Sequence, residues 1–232
     1  MSPFKHVLLV GASGRVGTAI QAELLAEKSN FSKLGVLTSS ASAPDPKKDD
    51  YWESLAAQGV QIVTVDFSDS KALVTAFRGS IHLSCSRFNN MLKVFLAGWD
   101  VVISAVGLPM VKMQLPMIEA AAEAGVTRFL PSEFGFDLTI PSNRGEKVYA
   151  MKIAVTVKLK EVSEKYPGFT SRFWLSVCHS IPALMISTDL YPGSFAAFPF
   201  MVPAMFDLDF EGCKACIIGD GEASISFTSF AE

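Results

Sequence analysis

The stretch VLLVGASGRVG, residues 7–17, constrains the fold of this chain more than any other part of its sequence. An apolar run leads directly into three glycines, and an amphipathic helical pattern follows them. A strand, a glycine-rich turn and a helix in this order begin a βαβ unit whose turn can hold the phosphates of a dinucleotide. Gly11 would permit the sharp turn, Gly14 would let backbone N–H groups approach a pyrophosphate, and Gly17 would let helix and strand pack closely. The positive end of the helix would favour bound phosphate. The alternative is an ordinary turn that only needs small residues.

Apolar runs and helical patterns alternate over the first 168 residues. Strands are predicted at 6–10, 34–38, 60–65, 100–105 and 127–131, and helices at 15–28, 50–58, 69–78, 110–124 and 146–165. Runs such as DVVISAV, 100–106, are apolar almost throughout, which is typical of strands in a parallel sheet covered on both faces. The sequence therefore predicts an α/β fold, a doubly wound, mostly parallel Rossmann-type sheet. The polar stretch 39–50 is predicted to be an exposed loop.

Composition narrows the classes of function. The formal net charge is −3 and no basic stripe is present, so we expect no nucleic-acid partner. The longest apolar stretch, Tyr191 to Phe206, is interrupted by three prolines and is a poor membrane span. Four cysteines suggest a reducing compartment, so we expect a cytoplasmic protein. Cys213 and Cys216 have no second pair or nearby histidine; no metal site is expected there, and a redox pair is the alternative.

The end of the second predicted strand favours NADP(H) over NAD(H). The segment GVLTSSAS, 35–42, has no Asp or Glu to bind a ribose 2′-hydroxyl. Its Thr38, Ser39 and Ser40 could instead donate hydrogen bonds to a 2′-phosphate, aided by Arg15 or by the Lys47–Lys48 pair. Those two lysines are equally typical of a solvated loop. The residues expected to bind the cofactor are Gly11, Ala12, Ser13, Gly14, Arg15, Val16, Gly17, Thr38, Ser39, Ser104, Ala105, Val106, Gly107, Pro131, Ser132, Glu133 and Phe134.

A second motif, VTRFLPSEFGFD, covers residues 126–137. It places a Pro-Ser-Glu-Phe-Gly turn at the carboxyl end of a predicted strand, which is the edge where open α/β sheets bind ligands. The alternative is that Ser132 and Glu133 only cap a following turn. In the helical stretch downstream, Lys152 stands between apolar residues, whereas the other lysines of that stretch are typical of a solvated face.

In order, GASGRVG, WDVVISAVG, RFLPSEFG and the helix with Lys152 resemble the isoflavone reductase-like reductases of the NmrA-like group of atypical short-chain dehydrogenases. The group includes the pinoresinol–lariciresinol and phenylcoumaran benzylic ether reductases. The resemblance covers roughly residues 5–165 and returns at 219–232. It implies NADPH-dependent reduction of a small aromatic substrate, with Lys152 as the catalytic, proton-handling residue near the nicotinamide. The Tyr-x-x-x-Lys pattern of standard short-chain dehydrogenases is absent, because Tyr149 precedes Lys152 by three. The alternative for Lys152 is a helix lysine whose ammonium reaches solvent.

Three features depart from that family. Residues 80–98 show neither strand alternation nor a helical stripe and are interpreted as an anomalous insertion. Residues 171–187 also interrupt the family pattern, although they could form a strand of their own. The sequence stops where the family continues, so we expect a dinucleotide-binding domain over 1–168 and a small, incomplete substrate lobe over 169–232. Two functions therefore stay open: a reductase of a small molecule, or a non-catalytic NADP(H)-binding regulator or redox sensor that binds a protein partner.

Overall fold

The computed structural model describes residues 4–40, 46–83, 92–95, 98–134 and 149–171, and four two-residue strands after them. The strands of the main part are β1 (His6–Val10), β2 (Lys33–Ser39), β3 (Gln61–Val65), β4 (Ser80–Leu83), β5 (Leu92–Phe95), β6 (Val101–Ser104), β7 (Arg128–Leu130) and β8 (Thr170–Ser171). The helices are α1 (Arg15–Ala26), α2 (Pro46–Ala57), α3 (Ser70–Phe77), α4 (Gln114–Glu123) and α5 (Ala150–Lys165), with 3₁₀ segments at Lys28–Asn30 and Leu108–Met113.

Six strands form one sheet in the order β3-β2-β1-β6-β7-β8, and every neighbouring pair is parallel. The chain builds outward from β1 to β3 and then returns to place β6 on the other side of β1. The carboxyl ends of β1 and β6 therefore lie at the point where the winding reverses, the usual ligand site of such sheets. This arrangement confirms the predicted doubly wound, mostly parallel fold.

Hydrophobic layers cover both faces of the sheet, and alternate residues of each central strand enter different layers. In β1, Leu8 and Val10 pack into the layer that contains side chains of α3, α4 and α5. Val7 and Leu9 pack into the layer on the other face, with side chains of α1 and α2. Because both faces are buried, both sets of positions must be apolar, which is why the strands read as continuous apolar runs.

The predicted strands of the sheet are confirmed within one residue at each end. The predicted loop over 39–50 is wrong in its second half, because α2 begins at Pro46, and residues 41–45 lie outside the described ranges. The helix predicted over 110–124 begins as the 3₁₀ segment Leu108–Met113 and becomes α-helical at Gln114.

The prediction that 80–98 lacks strands is also wrong, because β4 and β5 pair antiparallel within it. Their side chains and the residues between them lie outside the described part. Farther on, Ser194–Phe195 pairs with Phe227–Thr228, and Leu208–Asp209 pairs with Lys214–Ala215. The rest of 172–232 is outside the described residues, so the division into two domains stays a prediction. None of the helices in the described ranges has the length and apolar character needed to cross a membrane.

Candidate functional site

The glycine turn after β1 lies directly against the turn after β6. Gly11 has a φ of +83°, and a Cβ on it would lie 2.7 Å from the carbonyl oxygen of Ala105. The Ala105 N–H donates to the Val10 carbonyl oxygen at 2.8 Å. A side chain at position 11 would strain the backbone and also separate these two turns. The structure thus brings two of the predicted cofactor-binding segments into contact at the switch point.

The N-terminus of α1 is exposed and is not capped by a side chain. Its N-cap residue is Gly14, which has no side chain to accept a hydrogen bond, and Ser13, Gly14 and Arg15 are all exposed. The first turn contains no acidic residue. By helix geometry, the N–H groups of the first three helical residues have no intrahelical acceptor, so they are free to bind an anion. The Gly14 N–H itself donates to the Gly11 carbonyl oxygen at 3.0 Å, so this N–H shapes the turn instead.

The end of β2 lies one strand away from this loop. Thr38 and Ser39 are half-buried, and Ser40 is exposed with its N–H donating to the Val65 carbonyl oxygen at 3.0 Å. Helix α2, which follows, is tied to the glycine loop because the Tyr51 hydroxyl donates to the Ala12 carbonyl oxygen at 3.1 Å. Lys48 is exposed in the first turn of α2, and the Lys47 side chain lies outside the described part. A 2′-phosphate site at this edge stays a prediction.

The turn after β7 is fixed to the turn after β6 through Ser132. Its hydroxyl donates to the Val106 carbonyl oxygen at 2.7 Å, and its backbone N–H donates to Oε1 of Gln114 at 2.8 Å. Gln114 is fully buried at the start of α4, and its Nε2 donates to the Val111 carbonyl oxygen at 3.3 Å. The Ser132 side chain thus joins two sheet-edge turns instead of capping a local one. Sequence reasoning missed Gln114, since a glutamine near a helix start belongs to no motif.

The next residue of that turn, Glu133, forms a buried ion pair with Lys152 of α5. The distance from Nζ to Oε2 is 3.6 Å, and the two side chains are only 8% and 4% exposed. Burial lowers the pKa of Lys152, and the nearby carboxylate opposes that change. Burial raises the pKa of Glu133, and the ammonium opposes that change. The alternative of a lysine that reaches solvent is therefore wrong, because the whole side chain is enclosed.

Two buried oxygen atoms at this edge have no hydrogen-bond partner within the described ranges: Oγ of Ser104 and Oε1 of Glu133. Ser104 follows Val102 by two residues in β6, so both face the layer that includes α5. Buried polar atoms are normally hydrogen-bonded, so unpartnered ones at a ligand edge indicate places where a ligand or water binds. These atoms, the open helix and the enclosed lysine fit a dinucleotide with its reactive end near Lys152.

Among the described residues, the other titratable groups do not form a second site. His6 lies 3.6 Å from the Asp100 carboxylate at the amino end of the sheet, opposite the glycine loop. Within the residues that the structure describes, no cluster of His, Cys, Asp or Glu could hold a metal ion. Cys213 and Cys216 lie outside those residues.

Comparison with known proteins gives a consistent picture. A sequence model of the NmrA-like family matches residues 3–204. Eugenol synthase 1 of Petunia hybrida is 28% identical over 98% of this chain, which spans 61% of that protein. The structure of AtPrR2 with NADP+ and (+)pinoresinol shares 26% identity at a TM-score of 0.57, covering 84% of this chain and 58% of that one. The crystal structure of an isoflavone reductase shares the fold at a TM-score of 0.62 and 20% identity, covering 97% of this chain and 61% of that one.

Proposed function

The chain belongs to the NmrA-like family, and from that premise we propose that it is an NADPH-dependent reductase of a small aromatic substrate. One observation carries the proposal: Lys152 is enclosed at the carboxyl edge of the sheet, 3.6 Å from Glu133 in a turn bonded to the neighbouring Val106. A lysine whose pKa is lowered by burial can act as an acid or base near neutral pH. The resemblance to the isoflavone reductase-like reductases implies the same role for Lys152.

In this proposal, different segments of the chain bind different parts of the cofactor. The N–H groups at the start of α1 bind the pyrophosphate, because that helix end is uncapped and exposed. Thr38, Ser39 and Arg15 bind the 2′-phosphate, and the absence of a carboxylate in 35–42 disfavours NAD(H). The turns Ser104–Gly107 and Pro131–Phe134 hold the nicotinamide end. When bound, NADPH supplies the hydride from C4 of its nicotinamide.

Lys152 supplies or relays the proton that balances the hydride. Its ammonium can donate one proton to the oxygen atom of the substrate that gains electron density, leaving a neutral amine that solvent recharges. Enclosure keeps the ammonium from competing water molecules, so its hydrogen bond to the substrate is stronger than in solution. The reduced product carries the hydride on carbon and the proton on oxygen.

Exposed apolar side chains on α5 and on the 3₁₀ segment packed against it support an aromatic substrate. Leu108 and Met110 of the 3₁₀ segment and Met151 of α5 are exposed, and α5 packs against that segment. Exposed methionine and leucine side chains at a ligand edge offer a surface for an aromatic ring. The structure of AtPrR2 with (+)pinoresinol and the eugenol synthase are relatives whose names point to aromatic substrates. The four cysteines favour a reducing compartment, and we propose the cytoplasm.

The first test is a titration with NADPH and with NADH, followed by quenching of tryptophan fluorescence and energy transfer to the nicotinamide. We expect saturable binding that is clearly tighter for NADPH. Equal affinity, or no binding by a folded chain, would contradict the cofactor assignment. Tight NADPH binding without turnover of aromatic substrates would favour the regulator instead.

The second test is the Lys152→Met variant, assayed with NADPH and pinoresinol as the first substrate. Loss of a positioned proton donor lowers rates by about 10²- to 10⁴-fold. We expect that loss in kcat with NADPH affinity retained. The matched control is Lys160→Met, an exposed lysine of the same helix, which should keep the full rate. Equal activity in the two variants would rule out Lys152 as the proton donor.

A further inference from the structure

The environment of Glu133 differs from that of a cofactor-binding residue. Its carboxylate is buried and faces the Lys152 ammonium at 3.6 Å, with Oε1 unpartnered in the described part of the chain. The turn that contains Glu133 is proposed to hold the nicotinamide end of the cofactor, and its backbone can do so while the carboxylate faces Lys152. The sequence prediction that Glu133 contacts the cofactor leaves its ion pair unexplained.

The backbone around Glu133 is held firmly in place. The Glu133 N–H donates to the Pro131 carbonyl oxygen at 2.9 Å, and the preceding Ser132 is bonded to both Val106 and Gln114. The carboxylate is thus fixed to the sheet edge. Lys152 approaches from α5, which is fixed by its buried residues Val155, Leu159 and Val162.

Other charged groups near α5 are occupied elsewhere or exposed. Glu119 of α4 binds Lys158 at 2.6 Å and Lys165 at 2.5 Å, farther along α5. The other charged groups on the elements packed against α5 are Glu123 of α4, which lies 3.8 Å from Arg78, and Lys112 of the 3₁₀ segment, which is exposed. The charged groups of α5 itself beyond these lysines are Lys160, Glu161 and Glu164. Within the described residues, Glu133 is the carboxylate paired with Lys152.

We propose that Glu133 is a positioning residue whose carboxylate holds the Lys152 ammonium charged and in place at the cofactor edge. The catalytic consequence rests on the proposed reductase function, whereas the interaction itself does not. A buried ammonium without a counter-charge is costly, so it loses its proton readily. The carboxylate offsets that cost and keeps the proton on Lys152 until substrate takes it.

The charge of Glu133 can be removed with little change of shape in Glu133→Gln. Burial would then lower the pKa of Lys152 without opposition, because the one attraction that raises it is gone. An opposite charge at this range shifts a pKa by roughly one to three units, which sets the size of the expected fall. Glu133→Asp keeps the charge on a side chain one methylene shorter, so it should recover part of the effect.

The first experiment measures Lys152 itself and needs no activity. Correlation spectra of protein with ¹³C in its lysine ε-methylene groups, recorded at a series of pH values and assigned with Lys152→Met, give the midpoint of its titration without a reagent having to reach the enclosed side chain. We expect the midpoint of Lys152 to fall by roughly one to three pH units in Glu133→Gln and to return toward wild type in Glu133→Asp. Glu119→Gln removes an equal charge from the surface and should leave the Lys152 midpoint unchanged. The same midpoint in wild type and Glu133→Gln would overturn the proposal.

The second experiment follows kcat/KM against pH with NADPH and an accepted aromatic substrate. If Lys152 is the proton donor, the alkaline limb of the profile should move to lower pH in Glu133→Gln and back in Glu133→Asp, with NADPH affinity unchanged. A merely structural role would lower the rate at every pH and leave the limb in place. A shift of the Lys152 midpoint in Glu133→Gln, in a chain that binds NADPH but reduces no aromatic substrate, would support the positioning role and contradict the reductase function, so the two proposals fail separately.

Discussion

The three glycines after β1 meet three different geometric demands. Gly11 has a positive φ, whereas Gly14 and Gly17 do not. A Cβ at position 17 would lie 2.0 Å from the Gly11 carbonyl oxygen, and one at position 14 would lie 3.2 Å from the same atom. The clash at 17 is with backbone, which cannot rotate away as a side chain can. Gly17, which lies within α1, therefore tolerates a side chain least of the three glycines. The sequence alone offers no way to rank them.

Gly17→Ala should destabilise the protein and weaken NADPH binding together. Helix α1 must move away from the turn to make room for the methyl group, and such overpacking costs about 1–3 kcal/mol. Urea unfolding and NADPH titration would measure the two effects. Gly14→Ala is the matched control for the unfolding measurement alone, since a displacement of a few tenths of an ångström relieves its contact, whereas its methyl group would stand in the predicted pyrophosphate site. Comparable losses of stability in the two variants would contradict this ranking.

The roles of single residues could be predicted only in part. The apolar neighbours of Lys152 in the sequence indicated its special position, and the structure encloses it. Its partner Glu133 stands in a separate motif, and their contact depends on how α5 packs against the end of β7. Gln114 accepts from the backbone N–H of Ser132, and Tyr51 donates to the backbone carbonyl oxygen of Ala12. Such backbone groups occur at almost every residue, so no sequence pattern marks those bonds.

At the level of elements, helix starts explain both the successes and the errors of sequence reasoning. Proline at the first position of a helix is favourable, because its missing N–H would be unpaired there anyway. The stretch with Pro46 looked like a loop for its proline and charges, yet α2 begins at that residue. By contrast, the helix predicted over 69–78 occurs as α3, Ser70–Phe77, and Asp69 is its N-cap.

Asp69→Ala should lower stability without affecting NADPH binding. The Asp69 carboxylate accepts hydrogen bonds from the N–H groups of Lys71 at 2.9 Å and Ala72 at 3.0 Å. Loss of such a cap costs about 1 kcal/mol. Thermal or urea unfolding would measure the loss. Asp69→Asn keeps an acceptor in place and should unfold like wild type; if it were as unstable as the alanine variant, charge and not capping would be responsible.

Glu119→Gln should destabilise the contact between α4 and α5 in a pH-dependent way. Hydrogen bonds from Lys158 and Lys165 lower the pKa of Glu119 below its ordinary 4.5. A carboxylate with a lowered pKa in the folded state contributes stability above its unfolded pKa and loses it as pH falls through the folded pKa. We expect a deficit of about 0.5–1 kcal/mol at neutral pH, since the group is partly exposed.

Urea unfolding of wild type and Glu119→Gln at neutral pH and well below pH 4.5 would test this. The deficit should vanish in acid, where Glu119 is protonated and both proteins are uncharged at this position. Glu123→Gln removes a carboxylate from the more exposed, 3.8 Å pair with Arg78 and should have a smaller effect. A deficit that persists in acid would mean that Glu119 stabilises by packing.

For the whole molecule, the sheet was predictable because each central strand is buried on both faces. Continuous apolar runs separated by helices leave few topologies, and the right-handed crossover rule selects the doubly wound one. Residues 80–98 gave no such signal. In the described part of the chain, β4 and β5 form a separate two-stranded sheet, so neither belongs to the sheet with two buried faces. An isolated two-stranded pair needs neither continuous nor strictly alternating apolar residues.

The site joins segments from both halves of the sheet, so a bound cofactor should stabilise the whole fold. A ligand that binds only the folded state, at a concentration of 100 times its Kd, raises the free energy of unfolding by about 2.7 kcal/mol. For a chain of this size that corresponds to a rise of roughly 5–10 °C in the thermal midpoint. We expect such a rise with NADPH and a smaller one with NADH at equal concentration. Arg15→Ala should reduce the difference between the two, because the exposed Arg15 side chain is proposed to bind the 2′-phosphate, which NADH lacks. Equal rises with both nucleotides in wild type would mean that the end of β2 does not recognise the 2′-phosphate.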